Sequence, residues 1–298
     1  MKDLTNSPQD SIITESKTNV SNFPHTDMSR TDQTPNDEMG ERMPEAKREF
    51  LLETIRRAPI LESLQQEPVA ASELSETVDM SRSTVHRSLK SLEEYDIVKE
   101  SSDRYELTSL GQILAMELQT FGTRAYTGLS LKKFLNHVDI NSNRIPLEHF
   151  ADSKTTRRTS RRPHATIHRI IELIENADSL RMFSTVISPV HVDVGYREMM
   201  NGTEIEAIFD REAIDIMALE YPEKTQETVS TGNFDVYACE RVPFELFLFE
   251  EKIGLAAHNQ NGNAEVLIES ENPSAIEWAE NLYAECISRA ESVFDSDS

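Results

Sequence analysis

The order of segments between Glu45 and Leu107 constrains this chain more than any other feature of its sequence. Four short helical segments come first, and two strand-like pieces separated by a polar turn follow. Phe50, Leu51 and Ile55 mark a helix over about 46–57. Ile60, Leu61 and Leu64 mark a second, which ends before Pro68 because proline supplies no backbone N–H. Leu74 and Val78, one turn apart, mark a third over about 72–78. Asp79 and Met80 then turn, and Ser81 offers a hydroxyl to cap a fourth helix running to about Tyr95. Val85, Leu89 and Leu92 give that fourth helix its buried stripe. "DIVKE" and "RYELT", separated by Ser101-Ser102-Asp103, predict a β-hairpin. This is the order of a winged helix-turn-helix.

The charge of the fourth helix sets it apart. The chain carries a formal net charge of −23, yet Ser81–Lys90 holds Arg82, Arg87 and Lys90 and no carboxylate. Spacing places Arg82, His86 and Lys90 on one line of the helix, with Ser83 and Arg87 on the next. The major groove of B-DNA, ~12 Å wide, admits one helix. A helix that enters it needs an apolar side to hold it on its own domain and an opposite side free of carboxylates, which phosphates repel. Arg82 and Arg87 can bond guanine bidentately or pair with phosphates. Ser81, Ser83 and Thr84 sit at the helix N-terminus, where free N–H groups favour a phosphate. His86 and Lys90 extend the face. A merely solvated basic face is the plainer reading of ten residues alone. Their place in the helical order, before a hairpin, favours double-stranded DNA.

An acidic chain usually argues against nucleic acid. Here the acids are spread along most of the sequence, as in proteins adapted to concentrated salt, so local charge is the better guide. Residues 45–122 hold 9 basic and 15 acidic residues, and residues 163–288 hold 7 basic and 24 acidic residues. The second region should repel DNA.

Elsewhere the organisation is simpler. Residues 1–44 are polar and aperiodic, which predicts disorder. Thr108 can cap a helix with Leu110, Ile113, Leu114, Leu118 and Phe121 on one stripe, extending to about Leu135 with a break near Gly122 or Gly128. Residues 140–162, ending in "SKTTRRTSRRP", read as a linker whose Lys154, Arg157, Arg158, Arg161 and Arg162 could form a second phosphate-contacting arm. From Pro163 helices and strands alternate, and a β-meander follows: helix "ATIHRIIELIENA", strands "LRMFSTVI", "TEIEAIF", "FDVYAC", "FELFLFE", "KIGLAAH" and "EVLIES", and a closing helix capped by Asn272. Ser188 and Asp210 are further helix caps, and Pro222 cuts the helix that Asp210 starts.

Chemistry-bearing constellations are few. His164, His168 and Glu172 share a helix line, but no fourth ligand stands near, and a solvated face is the commoner meaning. Phe244, Phe247 and Phe249 could line a ligand pocket; packing of a strand covered on both faces is the simpler account. No Walker loop, G-x-S-x-G or H-E-x-x-H occurs, and His191 is not followed by the lysine of a phospholipase-D-type phosphodiesterase. Cys239 and Cys286 read as two free thiols. No run nears ~18 apolar residues, so no membrane span is expected, and without a secretion signal the expected location is cytoplasmic.

"LSETVDMSRSTVHRSLKSLEEYDIVKES" and "YELTSLGQ" resemble the winged-helix module of archaeal regulators in the broad ArsR/MarR-like group. "RIIELIENADSLRMFSTVISP", "GTEIEAIFDREAIDIMALEYPE" and "VPFELFLFEEKIGLAAHNQNG" resemble the C-terminal domain of haloarchaeal regulators related to the methanogenesis regulatory protein family. The resemblance spans about 45–290. It implies a homodimeric DNA-binding regulator whose C-terminal domain senses a ligand or mediates assembly. The hairpin departs from a typical wing, since its tip carries no basic residue and only Lys99 and Arg104 flank it.

The expected fold is α+β: a winged helix-turn-helix domain over 45–122, a helical extension and basic linker over 123–162, an α/β sensor-like domain with a mixed sheet over 163–292, and an acidic tail over 293–298. The expected function is dimeric, sequence-specific DNA binding in transcription regulation, with the helix over 82–95 in the major groove. Ser81, Arg82, Ser83, Thr84, His86, Arg87 and Lys90 are the expected DNA contacts. No cofactor, metal or enzymatic activity is expected, and a small-molecule effector is left open. The alternative is a winged-helix interaction or scaffold module that does not bind DNA.

Overall fold

The computed structural model describes residues 44–138, 145–259 and 262–294. The disorder expected over 1–44 lies outside these residues, apart from Pro44, as does most of the acidic tail.

Four helices open the described chain: α1 (Glu45–Arg56), α2 (Ala58–Ser63), α3 (Ala71–Thr77) and α4 (Arg82–Glu94). Strands β1 (Val98–Ser101) and β2 (Arg104–Leu107) pair antiparallel, with Ser101 opposite Arg104. The two turn residues, Ser102 and Asp103, adopt φ of 51° and 64°, the left-handed geometry of a tight hairpin turn. Ile60, Leu61, Leu74, Val85, Leu89 and Ile97 are fully buried in one core beneath α4. At roughly 1.5–3 kcal/mol for each large apolar side chain, this stripe is what fixes α4 against its neighbours.

α5 (Ser109–Ser130) starts at Thr108, whose hydroxyl accepts from Gly111 N at 3.1 Å. The break expected near Gly122 or Gly128 is absent; α5 runs through both and yields at Leu131 to the short α6 (Lys132–Leu135). A helical glycine costs only ~1 kcal/mol, too little to break a packed helix. Gly128 also has a packing use, since a Cβ there would stand 3.3 Å from Leu147 Cδ1 of the 3-10 turn Leu147–Phe150. Arg124 clamps the same junction, donating to both oxygens of Glu148 at 3.0 and 2.6 Å.

The basic segment is not a linker throughout. Lys154–Arg157 forms β3, the edge strand against β9 (Ala264–Ser270). Four residues are too few to show a period, and the exposed Lys154 and Arg157 suit an unpaired edge. Arg157 donates to Ser130 O at 2.5 Å and Arg158 pairs with Glu265 at 3.0 Å, so two of the five cations proposed for a phosphate arm are bonded within the fold.

The remaining elements build one mixed sheet, ordered β10-β6-β5-β4-β7-β8-β9-β3. β4 (Ser179–Ser184), β5 (Glu204–Asp210) and β6 (Phe234–Cys239) run parallel. β7 (Glu245–Leu248), β8 (Ile253–His258) and β9 form the expected antiparallel meander, and β10 is Glu291–Ser292. Helices α7 (Ala165–Glu175), α8 (Pro189–Met200), α9 (Arg211–Glu220) and α10 (Pro222–Thr231) interleave with the parallel strands, and α11 (Pro273–Ile287) follows β9. Along β7, Leu246 and Leu248 join a core with Phe134, Phe150 and α11, while Phe247 packs into the opposite core with Ile170, Val194 and Met217. Strand alternation therefore buries both faces. Phe244 lies in the first core and Phe249 stacks on Phe247 at 6.3 Å in the second.

Asp210 and Asn272 cap α9 and α11 as expected, accepting from Ala213 N at 2.8 Å and Ser274 N at 2.9 Å. Ser188 holds the N-cap position of α8 without a side-chain bond. Pro222 ends α9 but also begins α10, which the sequence reading missed because "PEKTQETVST" has a single aliphatic residue. Its signals are proline at N1 and Gly232, whose φ of 75° closes the helix. Cys239 and Cys286 are free and buried.

Candidate nucleic-acid interface

α4 is held at its start by hydroxyls. Ser81 Oγ accepts from Thr84 N at 3.2 Å and lies 2.8 Å from Thr84 Oγ1 and 3.0 Å from Ser83 Oγ. Ser81 and Thr84 thus have a structural task, the capping of the helix, whatever else they touch. Val85, Ser88, Leu89 and Leu92 turn inward. Ser81, Arg82, Ser83, His86, Arg87 and Lys90 are exposed, and Thr84 is half-buried. The structure therefore brings the expected contact residues onto the start and outward side of one helix.

Charge distribution sharpens that face. Arg87 Nε donates to Ser83 O at 3.3 Å, which lays its side chain back along the helix. Among the described residues no ion pair within 4 Å engages Arg82, His86, Arg87 or Lys90, whereas other cations do find carboxylates. Four side chains able to donate are left to solvent on a helix with no acidic residue in its first turn.

The hairpin contrasts with α4. Lys99 pairs with Glu106 at 2.9 Å. Arg104 donates to Pro68 O at 2.6 Å and pairs with Glu73 at 3.3 Å. Both cations flanking the tip are spent within the fold, so the hairpin offers phosphates little.

Large apolar side chains remain exposed on two helices. Leu51, Leu52 and Ile55 of α1 and Leu110, Ile113, Met116 and Phe121 of α5 show 41–63% of their surface.

The histidines considered for metal binding sit close, His164 and His168 having ring centroids 6.4 Å apart, but Glu172 is bonded to Arg169 at 2.9 Å. Among the described residues no group of three His, Cys, Asp or Glu side chains could hold a metal ion. None of the described helices is long and apolar enough to cross a membrane.

Sequence reasoning missed a second polar cluster, inside the larger domain. Glu245 is 2% exposed, bonded to Ser184 and 3.3 Å from His258 Nε2. In a chain with 53 acidic residues, one more carboxylate carries no signal; its place at the start of an apolar strand was the available clue.

Residues 45–127 match the model of the HVO_A0261 N-terminal domain, and residues 163–289 match that of the middle domain of methanogenesis regulatory protein FilR1. Comparison with curated proteins gives no match. Among solved structures, the archaeal chromatin protein TrmBL2 aligns at 14% identity and a TM-score of 0.39, over 80% of this chain and 94% of that one. The phospholipase D family member Nuc from Salmonella typhimurium aligns at 9% and 0.37, over 47% of this chain and 97% of that one. The adhesin competence repressor AdcR from Streptococcus pyogenes aligns at 17% and 0.23, over 44% and 95%. TM-scores this low carry no weight beside the two domain matches. The chain is therefore similar to the HVO_A0261 N-terminal domain over residues 45–127 and to the FilR1 middle domain over residues 163–289.

Proposed function

We propose that this protein is a sequence-specific, dimeric DNA-binding regulator of transcription. The observation that carries the reading is the outward face of α4. It presents Arg82, His86, Arg87 and Lys90 without a carboxylate partner, on a helix anchored by a fully buried apolar stripe. Such a helix can enter a major groove, where arginine discriminates guanine by bidentate bonding. The matches to the two domain models support a regulator, and the reading assigns the chain no catalytic step, cofactor or metal. It divides the chain into a DNA-binding domain over 45–122 and a regulatory domain that runs to about 292 and takes in β3 as well as residues from 163 onward, within the cytoplasm.

The exposed apolar residues of α1 and α5 support a homodimer, in which a second copy would cover them. Two-fold pairing places the reading helices one DNA turn apart, ~34–36 Å, and calls for a palindromic operator. If the protein works in molar salt, where the Debye length is ~3 Å, base contacts and burial must supply most of the affinity.

The test is selection of duplexes from a random DNA pool by the full-length protein at high potassium chloride. An enriched palindrome is expected, lost in the Arg82→Ala, Arg87→Ala double variant with the fold intact. Absence of enrichment by the unaltered protein, or enrichment that survives the double substitution, overturns the reading in favour of an interaction module.

A further inference from the structure

The core beneath α8 and α10 is not filled. A cavity of about 90 Å³ lies between these helices and the sheet. Its walls are mostly apolar, with Leu180, Met199, Ala207, Phe209 and Phe247 among them. Its polar lining includes Ser188, Tyr196, Lys224, Thr225 and Thr228 as well as His191 of α8 and Glu245 of β7; of these described residues only His191 and Glu245 hold a buried polar atom without a hydrogen-bond partner.

Neither is satisfied by the protein. Glu245 Oε1 accepts from Ser184 Oγ at 3.0 Å, but Oε2 has no hydrogen-bond partner, although His258 Nε2 lies 3.3 Å away. His191 Nε2 is shielded from solvent and also without a partner. Burial pushes the Glu245 carboxyl up to about 8 and the His191 and His258 imidazoles down to about 4, the last helped by His191 and His137 nearby. Burial thus favours the uncharged form of all three. A buried polar atom without a partner is rare in folded proteins and usually marks a ligand or water site. Two on one apolar cavity fit an occupant with a single polar end.

We propose that this cavity binds a short aliphatic alcohol, its chain against the apolar walls and its hydroxyl bonded to His191 Nε2 and Glu245 Oε2. A hydroxyl both donates and accepts, so it can satisfy a protonated carboxyl and an imidazole together. An ammonium only donates and a carboxylate only accepts. Either would also bring a charge into a site with no free counter-charge, because Lys224, on the cavity wall, is bonded to Asp193. Size limits the chain: an apolar cavity of ~150 Å³ takes benzene, and this one is smaller. Under the regulator reading this would be the effector site, but the proposal and its test need no DNA.

The experiment titrates the full-length protein at neutral pH and high potassium chloride with 1-butanol, butylammonium and butanoate, by ligand-observed NMR. Saturable binding of butanol is expected, with both ions at least about tenfold weaker because each leaves a buried partner unmatched. Gly195 lines the cavity, and a Cβ there would meet Met199 Cε at 3.8 Å and no other atom within 4 Å. Gly195→Leu should therefore fill the space and remove binding, with circular dichroism checking the fold. If that variant does not fold, His191→Phe, which keeps the ring and removes Nε2, should weaken butanol about tenfold. The proposal fails if butanol does not saturate, if either ion binds as tightly, or if binding is unchanged in the folded variant.

Discussion

Glu245 Oε1 accepts a hydrogen bond from the Ser184 hydroxyl at 3.0 Å where neither residue reaches solvent, the two being 2% and 0% exposed. This makes stability depend on pH in a definite sense. Unfolded, Glu245 releases its proton near 4.5; folded, burial holds the proton to about 8. Between these values the folded state binds more protons, so stability falls as pH rises, by at most about 1.4 kcal/mol per pH unit. His191 and His258 act in the opposite sense, since unfolding raises them from about 4 to 6.5 and stability falls as pH drops through that window. The three together give a maximum near pH 6.5. Chemical denaturation at constant salt should show Glu245→Gln losing the decline above that maximum and keeping the decline below it.

Gly111 is fixed by a close approach rather than by a turn. A Cβ there would fall 2.1 Å from Ile97 O, a backbone atom that cannot swing aside, and Gly111 N must stay bonded to Thr108 Oγ1. Gly111→Ala should destabilise by about 1–3 kcal/mol or more, although alanine is the better helix former. Gly122→Ala, with nothing within 4 Å, should be neutral or stabilising by up to ~1 kcal/mol. Urea denaturation of the pair separates packing from helix propensity.

Adjacent residues of α4 should respond in opposite ways. Leu89 is fully buried and Lys90 exposed. Leu89→Ala should cost about 2–5 kcal/mol of stability and lower DNA binding through loss of fold. Lys90→Ala should leave the melting temperature unchanged within a degree or two and reduce the slope of log affinity against log salt by about one phosphate contact. Melting curves and a salt titration of binding decide both.

Ile113 and Met116 test the dimer seam, being 59% and 63% exposed on α5. Ile113→Glu with Met116→Glu should leave the monomer fold intact, since neither joins a core, and should turn a dimer into a monomer by sedimentation. Monomerisation should weaken binding to a palindromic site far more than to a half-site.

Hydroxyl capping should be measurable as well. Ser81→Ala removes the acceptor for Thr84 N and should cost about 1 kcal/mol, with Ser81→Gly milder. A loss of DNA affinity beyond that stability change would show that Ser81 also reaches a phosphate.

The winged-helix region was legible because its signals are local. Ser81 and Thr108 declare helix starts by their hydroxyls, Val85, Leu89 and Leu92 declare an inward face, and Ser102 and Asp103 declare a turn. Each rests on residues a few positions apart, and the structure adds little beyond registering them. The face of Arg82, His86, Arg87 and Lys90 follows from helix period alone. What the sequence by itself determined, then, was the order of elements, the covered side of α4 and the acid-free run Ser81–Lys90 at its start. Tertiary structure decided what depends on distant partners. Lys154–Arg157 became a strand because β9 offered an edge more than a hundred residues away, and Arg104 is silenced by Glu73 of α3. Glu245, His191 and His258 come from a strand, a helix and another strand, and they share a site because β7 lies between β4 and β8 in the sheet. No spacing in a single chain encodes such a meeting, since contacts across a sheet follow its topology and not sequence distance.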